Sequence, residues 1–124
     1  MKPVDPHKRF SLPTRRVSEN RRLIMHGVHK VYLTLGYDPQ HPQRPREVFY
    51  SGGFRSGSDL EYQMQDVCVM LSLLLQHDVA PEAIAKSMAR RETALGEMEY
   101  ATIVGCITEE IAKPPIWANA GVVE

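Results

Sequence analysis

The sequence predicts an α+β fold: a small antiparallel sheet with at least one β-hairpin, followed by two or three packed α-helices. Three observations lead there. Period-two alternation of apolar residues is confined to residues 23–51, helical spacing begins only after Ser58, and no internal repeat interrupts that order. A chain of 124 residues that is 43% hydrophobic and 24% charged suits one globular domain with a single core.

Taken in order, residues 1–22 are rich in Pro, Arg and Ser and show no period, so they read as a basic flexible arm. The domain proper is expected over 23–113, with a tail over 114–124. Val31-Tyr32-Leu33-Thr34-Leu35 alternates as a strand with one buried face does. Leu23 and Met25 lie in phase with it, which allows a longer strand with a bulge or break at Gly27. Gly36 to Pro45 holds three prolines and reads as a loop; Arg46 to Ser51 returns as a second strand, antiparallel to the first.

Ser51 to Ser58 is a glycine-rich connection. Ser58 with Glu61 forms a capping box, so a helix is expected from Asp59 to about Gln76-His77-Asp78. Its second half is apolar nearly all round, which makes it central. Pro81 starts a second helix with Arg90-Arg91 in its last turn; a third runs from about Tyr100 to Ala112, and Pro114-Pro115 stop it. Ile116-Trp117 can pin the tail.

Composition narrows the function classes. Val67–Leu75 is the longest apolar run, far short of the ~20 residues of a membrane-spanning helix. Met1 to His7 lacks the apolar core of a secretory signal, so a cytoplasmic location without membrane contact is the expectation. Two cysteines cannot make a disulfide framework or a four-cysteine zinc site. The zero net charge conceals a gradient: residues 1–22 carry seven basic and two acidic side chains, residues 92–124 one basic and six acidic.

The candidate sites each have a bland rival. His26 and His29 are weak metal candidates, because strand spacing points them to opposite faces and no third ligand is near, so no metal is assigned. The loop at Arg55 feeds a helix N-terminus that can hold an anion, but Asp59 and Glu61 already answer that positive end. Cys68 and Cys106 read as core filler. Arg15 and Arg16 would attract nucleic acid, yet only Phe10 is interleaved with the basic cluster, so no stacking platform is indicated. Arg15, Arg16, Lys30 and Arg55 form the candidate anion- or nucleotide-binding set, with solvated surface as the rival reading. No catalytic residue is assigned.

The order of several strings is more specific than any of these. Leu12-Pro13-Thr14-Arg15-Arg16, His29-Lys30-Val31-Tyr32-Leu33 with Gly36-Tyr37, Arg46-Glu47-Val48-Phe49, Gly57-Ser58, and Leu71 to His77 leading to Val79-Ala80-Pro81-Glu82 together resemble the TSCPD-type C-terminal domain of adenosylcobalamin-dependent (class II) ribonucleoside-diphosphate reductases. The resemblance covers residues 12–91. The Thr-Ser-Cys-Pro-Asp string itself is absent, and Asp78 stands where that family commonly has glycine.

The resemblance implies a stand-alone accessory or binding module. The catalytic barrel, the radical-bearing cysteine, the reducing cysteine pair and the adenosylcobalamin site of the full-length enzymes do not fit in 124 residues with two cysteines. No cofactor is therefore expected on this chain, and no turnover by the chain alone. The implied partners are a ribonucleotide reductase catalytic chain, then a nucleotide, then nucleic acid; a homodimer is compatible with the small sheet. Two alternatives stand beside this reading: a subunit that contributes to deoxyribonucleotide supply, and a nucleotide- or nucleic-acid-binding protein led by the basic arm.

Overall fold

The period-two pattern extends further than the aliphatic residues alone reveal. In the computed structural model, which describes residues 8–27 and 29–118, the chain opens with three strands: β1 (Val17–Met25), β2 (His29–Asp38) and β3 (His41–Gly52). They form one antiparallel sheet in the order β1-β2-β3, with Leu23 opposite Val31 and Leu35 opposite Val48. The helices follow: α1 (Asp59–Gln76), α2 (Pro81–Lys86) and α3 (Ile103–Ala112). A short hairpin of β4 (Arg90–Glu92) and β5 (Met98–Tyr100) separates α2 from α3. The fold is α+β. No helix among the described residues is long and apolar enough to cross a membrane.

Several boundaries differ from the sequence reading. Residues 17–22, expected in the arm, are the first six of β1, and Gly27 marks a hairpin turn rather than a bulge in one long strand. His26 and Gly27 both take positive φ there, at 52° and 70°. The proline-rich segment 36–45 is largely strand. Its prolines are tolerated because β3 is an edge strand, and Pro45 falls where the register with β2 shifts. A two-residue turn at Pro39-Gln40 joins β2 to β3, and Asp38 Oδ1 accepts the Gln40 N–H at 3.1 Å. Arg90 and Arg91 lie in β4, because α2 ends at Lys86 with Ser87 as its cap. The third helix starts at Ile103, where Thr102 Oγ1 accepts the Gly105 N–H at 2.9 Å. The first seven arm residues and residues 119–124 of the tail lie outside the described residues.

The core sits between one face of the sheet and the helices. Leu23, Met25, Val31, Leu33, Leu35, Tyr37 and Val48 point inward and are buried with Met64, Cys68, Leu71 and Leu75 of α1 and Ile107 and Ile111 of α3. The expected cap of α1 is present: Ser58 Oγ accepts the Glu61 N–H at 3.2 Å, and the Glu61 carboxylate accepts the Gly57 N–H at 3.0 Å.

Arg21 ties the two ends of the fold. Its buried guanidinium donates to the Glu19 carboxylate, the Glu110 backbone carbonyl and carboxylate, Tyr37 Oη and the Lys113 carbonyl. The carbonyls belong to the C-terminal end of α3, where a cation also meets the negative end of the helix. Glu19 in turn accepts the Ile116 N–H at 2.9 Å, while Trp117 packs edge-on against Tyr37 and donates Nε1–H to the Pro42 carbonyl. Ile116 and Trp117 therefore do pin the segment that follows α3.

Burial by itself would raise the Glu19 pKa; hydrogen bonds from Ile116, Arg21 and Tyr37 outweigh it and hold the carboxyl below its ordinary 4.5. A depressed carboxyl contributes stability that is whole above the unfolded value and is lost as the pH falls through the folded one. Arg21→Met is expected to lower stability to urea at neutral pH by about 3–5 kcal/mol, since it strands buried carboxylates. Glu19→Gln should lose stability less steeply than the parent between about pH 5 and 3. Equal acid slopes in parent and variant would contradict this account.

Candidate functional site

As an edge strand, β3 turns the backbone groups of alternate residues away from β2, and α1 meets them with side chains. The Val48 N–H donates to Ser72 Oγ at 2.9 Å, and the same hydroxyl donates to the Val48 carbonyl at 3.0 Å. One turn on, Gln76 Nε2 donates to the Arg46 carbonyl at 3.0 Å. Ser72 and Gln76 thus stand in for a fourth strand. Gln76 also receives the arm: its carbonyl accepts the Phe10 N–H at 2.6 Å, and Arg9 donates to its side-chain oxygen. The Arg46 guanidinium lies 4.3 Å over the Phe10 ring and donates to Asp78 at 2.7 Å.

Beside this joint runs an apolar groove of about 420 Å³ walled by Phe49, Val69 and Leu73. It continues onto the outer side of α1, where Tyr62, Val69, Met70, Leu73 and Leu74 are exposed. Val69 is 58% exposed, an unusual condition for a valine in the middle of an 18-residue helix.

The outer face of the sheet carries no helical layer. Its cross-strand rows follow from the register: Ile24 beside Lys30, Arg22 beside Tyr32, Asn20 beside Thr34 beside Phe49, and Ser18 beside Gly36 beside Glu47. The Thr34 hydroxyl donates to Asn20 Oδ1 at 2.9 Å and lies 2.8 Å from Ser51 Oγ, a polar row across all three strands. At the last row, Arg16 Nη1 donates to both Glu47 oxygens at 2.7 Å. The Glu47 side chain lies across Gly36, where an added Cβ would meet it at 2.3 Å.

The four candidate anion-binding residues do not converge. Lys30 is exposed on the outer face of β2, and its carbonyl abuts Gly53, which leads into the loop that carries exposed Arg55. Arg16 lies by Gly36, six residues along β2 and so about 20 Å away; its charge is answered by Glu47. Arg15, its neighbour, is exposed. The Arg55 carbonyl accepts from both the backbone and hydroxyl of Ser58, so the loop's visible role is to shape the start of α1. Sequence reasoning missed Arg22, Tyr32 and Phe49 as neighbours. The signal was present, since Arg22, Lys30, Tyr32 and Thr34 all fall on the same phase of alternation.

A second cavity, of about 490 Å³, lies among the β1–β2 turn, the β4–β5 hairpin and α3, and is lined by His26, Arg90, Tyr100, Cys106 and Glu109. His26 Nε2 lies 3.0 Å from the Tyr100 carbonyl, whereas His29 is exposed with its ring 6.2 Å from Phe54. Among the described residues, no group of three or more His, Cys, Asp or Glu side chains is placed to hold a metal ion. Burial and then the charges of Glu109 and Glu99 push the Cys106 thiol up, and burial pushes Cys68 up to about 11. Neither environment favours the thiolate that nucleophilic chemistry needs.

A family model described as the TSCPD domain matches residues 5–112. No curated protein and no solved structure matches the chain.

The thiol environments predict a graded reactivity. In the native protein near neutral pH, Cys68 is expected to stay unmodified by a disulfide reagent while Cys106 reacts slowly, and both should react on unfolding. Rapid titration of two thiols in the folded protein would refute the assigned burial.

Proposed function

The chain belongs to the TSCPD domain family, and we propose on that premise that it acts by binding, as an accessory module for the catalytic chain of a ribonucleotide reductase. The observation that carries this reading is the apolar side of α1. A helix with Val69, Met70, Leu73 and Leu74 turned outward, beside a groove walled by Phe49, has more apolar surface than its own fold covers. In the reductases that the sequence resembles, this domain and the barrel belong to one chain. A module on a separate chain would need a non-covalent face to hold the barrel, and an apolar helix seated in a partner's groove is a common solution.

The thiols support binding over turnover. Ribonucleotide reduction as that family performs it uses a radical-bearing cysteine and a reducing pair. This chain has two cysteines, both with raised pKa, on different helices. Any contribution to deoxyribonucleotide supply would then pass through the partner's chemistry.

Mixing the protein with the host's reductase catalytic chain is expected to give a complex on gel filtration. Met70→Asp or Val69→Asp should weaken it by more than about tenfold, as loss of a central apolar anchor does, with thermal stability little changed because both residues are more than half exposed. Turnover by the mixture above that of the catalytic chain alone would support the subunit form of this reading. If the two chains elute separately and the same variants instead dissolve a homodimer, the α1 face is a self-association surface and the proposal fails.

A further inference from the structure

We propose that the outer face of the β1-β2-β3 sheet is a binding platform for single-stranded nucleic acid, a surface that meets the α1 groove at Phe49. Tyr32 and Phe49 are 43% and 52% exposed on this face and lie within strands rather than on loops, Phe49 opposite Thr34 and Tyr32 opposite Gly52 beside a register shift. Rings held in that way are rigid and cost little entropy on contact. Stacking of a base on such a ring is the main sequence-tolerant interaction available to a single strand. Arg22 lies directly opposite Tyr32, and Lys30 is two residues along β2, so two cations neighbour the Tyr32 ring. At the outward positions of the three strands from Ser18 to Ile24, Lys30 to Gly36 and Glu47 to Ser51, Glu47 is the one carboxylate, and Arg16 neutralises it.

The geometry selects a single strand over the other forms of nucleotide. Phe49 is opposite Thr34, which places it diagonal to Tyr32 across the register shift at Tyr32/Leu33; the diagonal of a regular ladder is about 7–8 Å. That is roughly twice the 3.4 Å rise per nucleotide of a duplex strand. Successive bases can reach both rings only if they unstack from one another, which a single strand does and a duplex does not. A mononucleotide is poorly served for a different reason. Small-ligand sites are concave and bury most of the ligand, whereas this face is open. Asn20, Thr34 and Ser51 add hydrogen-bonding groups already aligned across the three strands.

The test uses the full chain and a labelled 12-nucleotide single strand, read by fluorescence anisotropy at low and moderate salt. Unlabelled duplex of the same sequence and ATP serve as competitors. Tyr32→Ala and Phe49→Ala are each expected to weaken binding about tenfold, and Arg22→Gln or Lys30→Gln to reduce the log–log salt slope by about 0.7. All four positions are exposed, so unchanged thermal melting separates lost contacts from lost fold. Competition by duplex as strong as by single strand, preference for ATP alone, or binding insensitive to both aromatic variants would each overturn the proposal. Deleting residues 1–22 is not a clean control, because it removes six residues of β1; Arg15→Gln tests the arm instead. Tyr32→Ala should leave the reductase-chain complex intact and Val69→Asp should leave strand binding intact, which separates the two proposals; Phe49 lies in both surfaces and does not distinguish them.

Discussion

The buried Arg21 guanidinium is the constraint on which the arrangement of the chain's ends depends. It reaches from the first strand to the last turn of α3 and the residues beyond, with Glu19, Glu110, Tyr37 and three backbone carbonyls within reach. A charge with 9% of its side chain exposed must be met by several partners, because desolvation outweighs any single Coulomb pair. Once it is met, the partners are held in turn. Glu19 fixes Ile116, Tyr37 receives Trp117, and Trp117 closes onto Pro42 at the far end of β3. The three-stranded sheet and the last helix thereby become one body.

At the opposite edge the same problem is solved without charge. β3 would otherwise present unpaired backbone groups, and α1 answers them with a hydroxyl and an amide one turn apart. This consumes the side of α1 nearest the sheet, while Met64, Cys68, Leu71 and Leu75 serve the core. The remaining side is where Val69 and Leu73 emerge. An almost wholly apolar helix half is therefore divided between three duties: core, edge cover and outward face.

How much of this could be read in the sequence depends on the range of the interaction involved. The start of α1 was legible because a capping box is local, spanning Gly57 to Glu61. Ile107 and Ile111, one turn apart on α3, reach the core because one helix face has one period. The prolines of β3 misled because their tolerance depends on β3 being an edge strand, a property of strand order. The first six residues of β1 read as arm because their alternation is carried by Glu19 and Arg21 rather than by aliphatic residues, and the burial of those two becomes intelligible only with Glu110 and Ile116 beside them. The outer-face aromatics escaped notice because Tyr32 and Phe49 become neighbours only through the β2–β3 register.

The charge gradient acquires a different meaning in three dimensions. Arg21 and Arg22 are adjacent in sequence, yet alternation sends one into the fold and the other onto the outer face. Arg21 is spent on Glu19 and on Glu110 from the acidic third of the chain, and Arg16 on Glu47. Part of the polarity between the two ends is thus internal, holding the ends together, and does not project as a field. What β1 and β2 leave turned outward is a smaller and better-placed positive surface, Arg22 and Lys30 beside the Tyr32 ring. A count of basic residues overstated the arm as a binding element; the pleat of the sheet redistributes its charge into structure on one side and a candidate surface on the other.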